Sequence, residues 1–127
     1  MAYAAMVGLA SAASQARALG MASIEARVRQ LADDLRDGLA AVPSVSVTDV
    51  AERRSAIVTF QVDRVTPAEV VAAASRDGIV INESTAVWAA FDMDAKGLSH
   101  VVRASPHYFN THGELHQLIE CVARLTT

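Results

Sequence analysis

The chain is short of several residue types. Its 127 residues include one cysteine, one lysine, one tryptophan, three prolines and six glycines, and aromatic residues make up only 5%. Each scarcity excludes something. The single cysteine, Cys121, rules out an internal disulfide and fits a reducing, cytoplasmic setting. The single lysine, Lys96, sits in "DMDAKGL" beside Asp92 and Asp94. Those carboxylates favour a protonated, unreactive ammonium, so Lys96 is a poor candidate for an imine with a cofactor. Positive charge is scarce too. Eleven Lys and Arg face fourteen Asp and Glu, for a net charge of −3 and a pI near 5.7, and nothing in this balance suggests nucleic acid or an anionic membrane as a partner. No run of about 18 apolar residues exists, so no segment reads as a membrane span. The start, "MAYAAMVGLASAASQA", faintly resembles a secretion signal. It carries no positive charge before Arg17, and Gly8 and Ser11 interrupt the apolar run, so it is read as mature chain. No Gly-x-Ser-x-Gly elbow, phosphate loop or Gly-x-Gly-x-x-Gly is present.

Alanine, in contrast, is abundant, with 25 copies in a chain that is 52% apolar. The length suits one domain that removes roughly two thirds of its unfolded surface from water. So apolar a composition suggests that some apolar surface meets another domain or subunit.

The first forty residues read as helix. Gly20 divides an alanine-rich, weakly amphipathic segment from a better patterned one, where Ile24, Val28, Leu31, Leu35 and Leu39 form a stripe. Glu25, Arg29, Asp33 and Arg36 are placed largely on other faces. This second helix ends between Gly38 and Ala41, before Pro43. The period then changes. "SVSVTDV" and "SAIVTFQV" alternate and read as an antiparallel hairpin joined by "AERR", residues 51–54. "TPAEVVAAASRDG" carries a capping box, with Thr66 as N-cap, Pro67 at the first helical position, Glu69 closing the box and Gly78 as the stop. "IVIN" reads as a third strand, "ESTAVWAAFDMDAKGL" as a long loop and "SHVVRAS" as a fourth strand stopped by Pro106. Thr111 and Glu114 make a second capping box before a helix striped by Leu115, Leu118, Ile119, Val122 and Leu125. The expected fold is α+β: a small, mainly antiparallel sheet of about four strands with helices on one face, preceded by a long N-terminal helical segment.

Most residues with chemical potential also have a structural role open to them. His112, His116 and Glu120 share a face if helical, and His107 is near, which is a conceivable zinc set. No His-Glu-x-x-His motif or cysteine pair accompanies them, so solvated histidines are expected. Cys121 falls in the apolar region of the last helix and reads as a small buried hydrophobe. Ser105, Asn110 and Thr111 are turn and cap residues. Arg103 ends a strand just before a chain reversal. Spacing alone suits a surface ion pair, and a guanidinium there is equally a rigid two-pronged donor suited to a carboxylate.

Taken together, "VRASPHYFNTHGELHQLI" resembles the C-terminal motif of the class V aminotransferases, pyridoxal-phosphate enzymes that include cysteine desulfurases and isopenicillin N epimerase-like proteins. Arg103, Ser105, His107, Tyr108, Asn110, Thr111 and Glu114 fall on that motif, with Phe109 at a position usually aromatic. Upstream, "VGLASAASQARALGMASIEARVRQLADDLRDGL", "VPSVSVTDVAERRSAIVTFQV" and "GIVINES" are similar to the family's connecting helix and first small-domain helix, its hairpin and its next strand. The resemblance implies residues 1–20 as a connecting helix and 21–127 as the small C-terminal domain. It also implies that Arg103 binds a substrate's α-carboxylate, with Ser105, His107, Tyr108, Asn110 and Thr111 supporting the site. No catalytic, cofactor-binding or metal-binding residue is expected in this chain.

The family's cofactor lysine, and its cofactor-binding Asp and His, belong to a larger N-terminal domain that these residues do not match. The resemblance thus implies pyridoxal phosphate and a small amino-acid substrate in a complete enzyme, and no bound cofactor or activity for this chain alone. The missing large domain and a homodimer partner would cover its apolar surface. Family cysteine desulfurases carry a reactive cysteine in the loop after the third strand. "ESTAVWAAFDMDAKGL" has none, which points away from desulfuration by the persulfide route and toward an aminotransferase, lyase or epimerase. The alternative is a stand-alone, non-enzymatic α+β dimerisation or interaction module, with a small metal-binding protein as a third reading.

Overall fold

The computed structural model describes residues 2–49 and 54–126. The alanine-rich segment forms α1 (Tyr3–Leu19), and Gly20 separates it from α2 (Met21–Ala40). Gly20 adopts φ 90°, a backbone shape that costs glycine little and other residues much. α1 has no buried residue, and Tyr3, Met6, Val7 and Leu9 all face solvent. Among the described residues, no helix is long and apolar enough to cross a membrane. The expected stripe of α2 is fully buried in its C-terminal half, at Leu31, Leu35 and Leu39, and half-buried at Ile24 and Val28.

The hairpin forms as its alternation predicts. β1 (Val45–Val47) pairs antiparallel with β2 (Val58–Val62), with Val45 opposite Val62 and Val47 opposite Phe60. Of the connection placed at 51–54, residues 51–53 lie outside the described residues. α3 (Pro67–Arg76) begins with the expected capping box. Thr66 Oγ1 accepts from the Glu69 N–H, and the Glu69 carboxylate accepts from the Thr66 N–H at 2.8 Å. At the other end Gly78 turns left-handed, its N–H donates to the Ser75 carbonyl, and the Ile79 N–H reaches back to the Ala74 carbonyl at 2.9 Å. This is a Schellman stop.

That stop moves the third strand. The sequence places it at 79–82, but β3 runs Asn82–Thr85. The Ile79 N–H is already bonded to the helix end, so ladder pairing begins only after the chain has left the turn. The long loop also needs correcting, because it contains α4 (Ala90–Lys96). α4 has no side-chain N-cap and buries only Met93, which leaves little local signal. Gly97 ends it at φ 64°, and Lys96 pairs with Asp92 one turn back. β4 (His100–Ala104) and α5 (His112–Leu125) complete the chain, with Thr111 and Glu114 boxed as expected.

The sheet order is β1-β2-β4-β3, with every neighbouring pair antiparallel. One face carries Val58, Phe60, Val62, Val102 and Ala104, and it packs in one core with residues of α2, α3 and α5. α2 and α5 approach closely at Gly38, where a Cβ would sit 2.3 Å from Ile119 Cδ1.

The polar face assigned to α2 needs one correction. Arg36 is buried, at 3% exposure. Its Nε donates to Asp49 Oδ2 at 2.7 Å, Nη1 to Asp33 Oδ1 at 2.9 Å and Nη2 to the Ser55 carbonyl at 2.6 Å. Position 36 borders the Leu35 stripe, and groups flanking the β1–β2 connection converge on it. The helix period alone does not reveal partners that lie so far along the chain.

Candidate functional site

The alternation of β4 buries Val102 and Ala104 and sends Arg103 to the opposite, helix-poor face. Arg103 stands opposite Thr59 of β2 and Asn82 of β3. Its side chain is exposed and makes no hydrogen bond or ion pair among the described residues. The surface ion pair that spacing suggests is therefore not formed among the described residues. Arg103 instead lines a concavity of about 660 Å³ with Asn82, Glu83, Ser84 and Trp88, flanked by Val71 and Ala72 of α3. A guanidinium with no partner among the described residues, on a strand at the centre of a sheet, is a set of donors suited to a carboxylate.

The rest of the motif sits elsewhere. Ser105 and His107 line a second, mainly apolar concavity of about 600 Å³ with Met21, Ile24 and Val28. Asn110 is a turn residue. Its Oδ1 accepts from the His107 N–H at 2.8 Å, and its own N–H donates to the His107 carbonyl at 2.9 Å. Glu114 accepts from the Thr111 N–H at 2.7 Å and from the Asn110 amide at 3.3 Å. These bonds, the Thr111 N–H first, hold the Glu114 carboxyl below the usual carboxylate range. His107, Tyr108 and Phe109 form a ring cluster in which His107 and Phe109 are exposed and Tyr108 is half-buried, with the His107 ring centroid 4.5 Å from that of Tyr108 and 4.7 Å from that of Phe109. Arg103 is thus separated from the other motif residues within this chain.

His112 is engaged rather than simply solvated. Its Nε2 lies 3.1 Å from Arg27 Nη1 and its Nδ1 3.3 Å from Asp34 Oδ2. A guanidinium only donates, so Nε2 is the lone-pair nitrogen and Nδ1 carries the proton. Arg27 Nη2 also donates to the Asn110 carbonyl at 3.1 Å, which ties the motif turn to α2. Nothing local in the sequence signals this clasp. Among the described residues, no group of three or more His, Cys, Asp or Glu is placed to hold a metal. Cys121 is buried as expected, and burial pushes its thiol up, away from the reactive thiolate. Lys96 is bonded through Nζ to Asp92 at 2.7 Å, which does not suit an imine-forming lysine. The described residues therefore do not fit a pyridoxal-phosphate site by themselves.

Residues 1–118 match the model of the aminotransferase class-V family. No curated protein matches the chain. Among solved structures it is similar to the apo cysteine desulfurase of Thermococcus onnurineus NA1, with TM-score 0.86 and 23% identity over 94% of this chain and 30% of that one. It is also similar to the S-sulfonic acid form of the cysteine desulfurase CsdA of Escherichia coli, with TM-score 0.71 and 24% identity over 80% of this chain and 25% of that one. A mutant of C-DES with glycine covalently linked to its PLP cofactor gives TM-score 0.64 and 20% identity over 80% of this chain and 23% of that one. The chain spans less than a third of the length of these relatives, and at such identities the likeness is one of fold.

Proposed function

Because the chain belongs to the aminotransferase class-V family, we propose that it forms the C-terminal part of a pyridoxal-phosphate-dependent enzyme that acts on an amino acid. In this reading residues 1–20 are the connecting helix, residues 21–127 are the small domain, and Arg103 binds the substrate's carboxylate. The observation that carries it is the Arg103 guanidinium, without a partner among the described residues, on a central strand at the wall of an open concavity. A planar fork fixed by a sheet positions a carboxylate better than a mobile loop charge would.

Pyridoxal phosphate, when bound, supplies an electron sink for a substrate carbanion. In this reading the imine-forming lysine lies in the larger domain, and the pairing of Lys96 with Asp92 supports it. This chain's own part is to fix the substrate's carboxylate and hence its orientation. Ser105, His107, Tyr108, Asn110 and Thr111 line or hold the turn after β4, apart from the Arg103 concavity within this chain, and support the site only in the complete enzyme. The exposed apolar side chains of α1, with Val87 and Phe91, are suited to contact with the larger domain and a second subunit. Residues 83–98 contain no cysteine, which favours transamination, elimination or epimerisation over desulfuration by a persulfide. A reducing cytoplasm suits the single buried thiol.

Mass and absorbance measurements on the native product test the reading. A product longer than 127 residues that carries pyridoxal phosphate on a lysine upstream is expected, while the 127-residue chain alone binds neither cofactor nor amino acid. A native product of 127 residues that folds and binds a partner protein would instead establish the interaction module.

A further inference from the structure

Trp88 is the chain's only tryptophan and is 87% exposed, although an indole is among the side chains that gain most from burial. Its backbone is nevertheless held in place. The Trp88 main-chain N–H donates to the Thr85 carbonyl at 3.0 Å, and the Ala86 N–H donates to the Ser99 carbonyl at 3.0 Å, which pins the turn after β3 to the approach to β4. Trp88 lines the same concavity as Arg103, beside Val71 and Ala72 of α3. One hollow thus combines a free guanidinium, an unpacked indole and an apolar flank. Glu83 also lines it, from the β3 position opposite Val102. A neutral apolar side chain entering beside Arg103 would cover the indole and the Val71–Ala72 flank.

We propose that Trp88 is a specificity-determining residue that stacks on the substrate's side chain and selects α-amino acids with a large apolar or aromatic group over small ones. The inference rests on the reading of Arg103 as the carboxylate site, and it adds the substrate class.

The test compares dissociation constants for L-phenylalanine and L-alanine in the complete enzyme, for the wild type and for Trp88→Ala, Trp88→Phe and Arg103→Ala. Trp88→Ala is expected to lower the phenylalanine-over-alanine preference about three- to tenfold, the range of one aromatic contact. Trp88→Phe keeps most of that preference, and Arg103→Ala weakens both ligands alike. If Trp88→Ala leaves the ratio unchanged, or alters only subunit association as seen by size-exclusion chromatography, the inference fails while the Arg103 reading stands. If Arg103→Ala leaves both affinities unchanged, the Arg103 reading fails and takes the inference with it.

Discussion

Replacing Asp49 by alanine strips Arg36 of its best partner while leaving it buried. The Arg36 side chain is 4% exposed and that of Asp49 16%, with Nη2 of Arg36 2.6 Å from the Asp49 carboxylate. Removing one partner of a fully buried pair costs about 3–5 kcal/mol. Three partners remain here, Asp33 Oδ1 at 2.9 Å, the Ser55 carbonyl at 2.6 Å and the Ile57 carbonyl at 3.4 Å, and Asp33 is 48% exposed and therefore a weak anchor. Asp49→Ala is thus expected to cost about 2 kcal/mol, the scale of a lost charge-assisted hydrogen bond. Arg36→Met keeps the aliphatic stem but removes the Arg36 donors from the Ser55 carbonyl and from Asp49, which keeps the Thr59 N–H at 3.4 Å, and a similar cost of about 2–3 kcal/mol follows. Once Arg36 is gone, removing Asp49 loses little more, so the double variant falls short of the sum by about 1–2 kcal/mol. Urea unfolding followed by circular dichroism at neutral pH reads all three variants. A cost for Asp49→Ala under about 0.5 kcal/mol, or strict additivity in the cycle, would refute the reasoning and mean that water screens the pair.

The two capping boxes predict local costs and a pH dependence. Thr111→Ala should destabilise by about 1 kcal/mol and lower Tm by about 4 °C, read by thermal circular dichroism. The carboxyls of Glu69, bonded first by the Thr66 hydroxyl, and of Glu114, bonded first by the Thr111 N–H, lie below the usual carboxylate range. A depressed folded value means that this stabilisation is present above the unfolded carboxyl's value of about 4.3 and is lost as pH falls through the lower folded value. Glu114→Gln should therefore flatten the acid loss of Tm between about pH 5 and pH 3 relative to the parent chain. Deleting residues 2–19 removes a helix with no buried residue, so the unfolding free energy should change by less than about 0.5 kcal/mol. Self-association measured by light scattering should fall in the same variant, and a loss of more than about 2 kcal/mol would contradict the exposed placement of α1.

What could be read in the sequence was mostly local. Thr66 with Glu69, and Thr111 with Glu114, satisfy orphan N–H groups within one turn, so their spacing is sufficient to reveal them. The alternation of Val58, Phe60 and Val62 is likewise local and sets which face is buried. The misreadings came from longer-range effects. β3 is displaced because the Ile79 N–H is held by Ala74 across a Schellman turn. α4 lacks a capping side chain and an apolar stripe. Arg36 is read as polar surface until Asp49 and Ser55 arrive from beyond the helix. At the candidate site, the type and strand position of Arg103 were legible. Its lack of a partner and its nearness to Trp88 were not, because both depend on β4 inserting between β2 and β3.

The central claim concerns what Arg103 holds, and the dissociation constant of an amino acid for the complete enzyme tests it most directly. Arg103→Ala should weaken binding roughly 10- to 100-fold, the equivalent of losing a charge-assisted pair, and Arg103→Lys should recover only part of it because a point charge cannot form the two-pronged contact. An affinity unchanged by Arg103→Ala would show that the guanidinium does not bind the substrate's carboxylate.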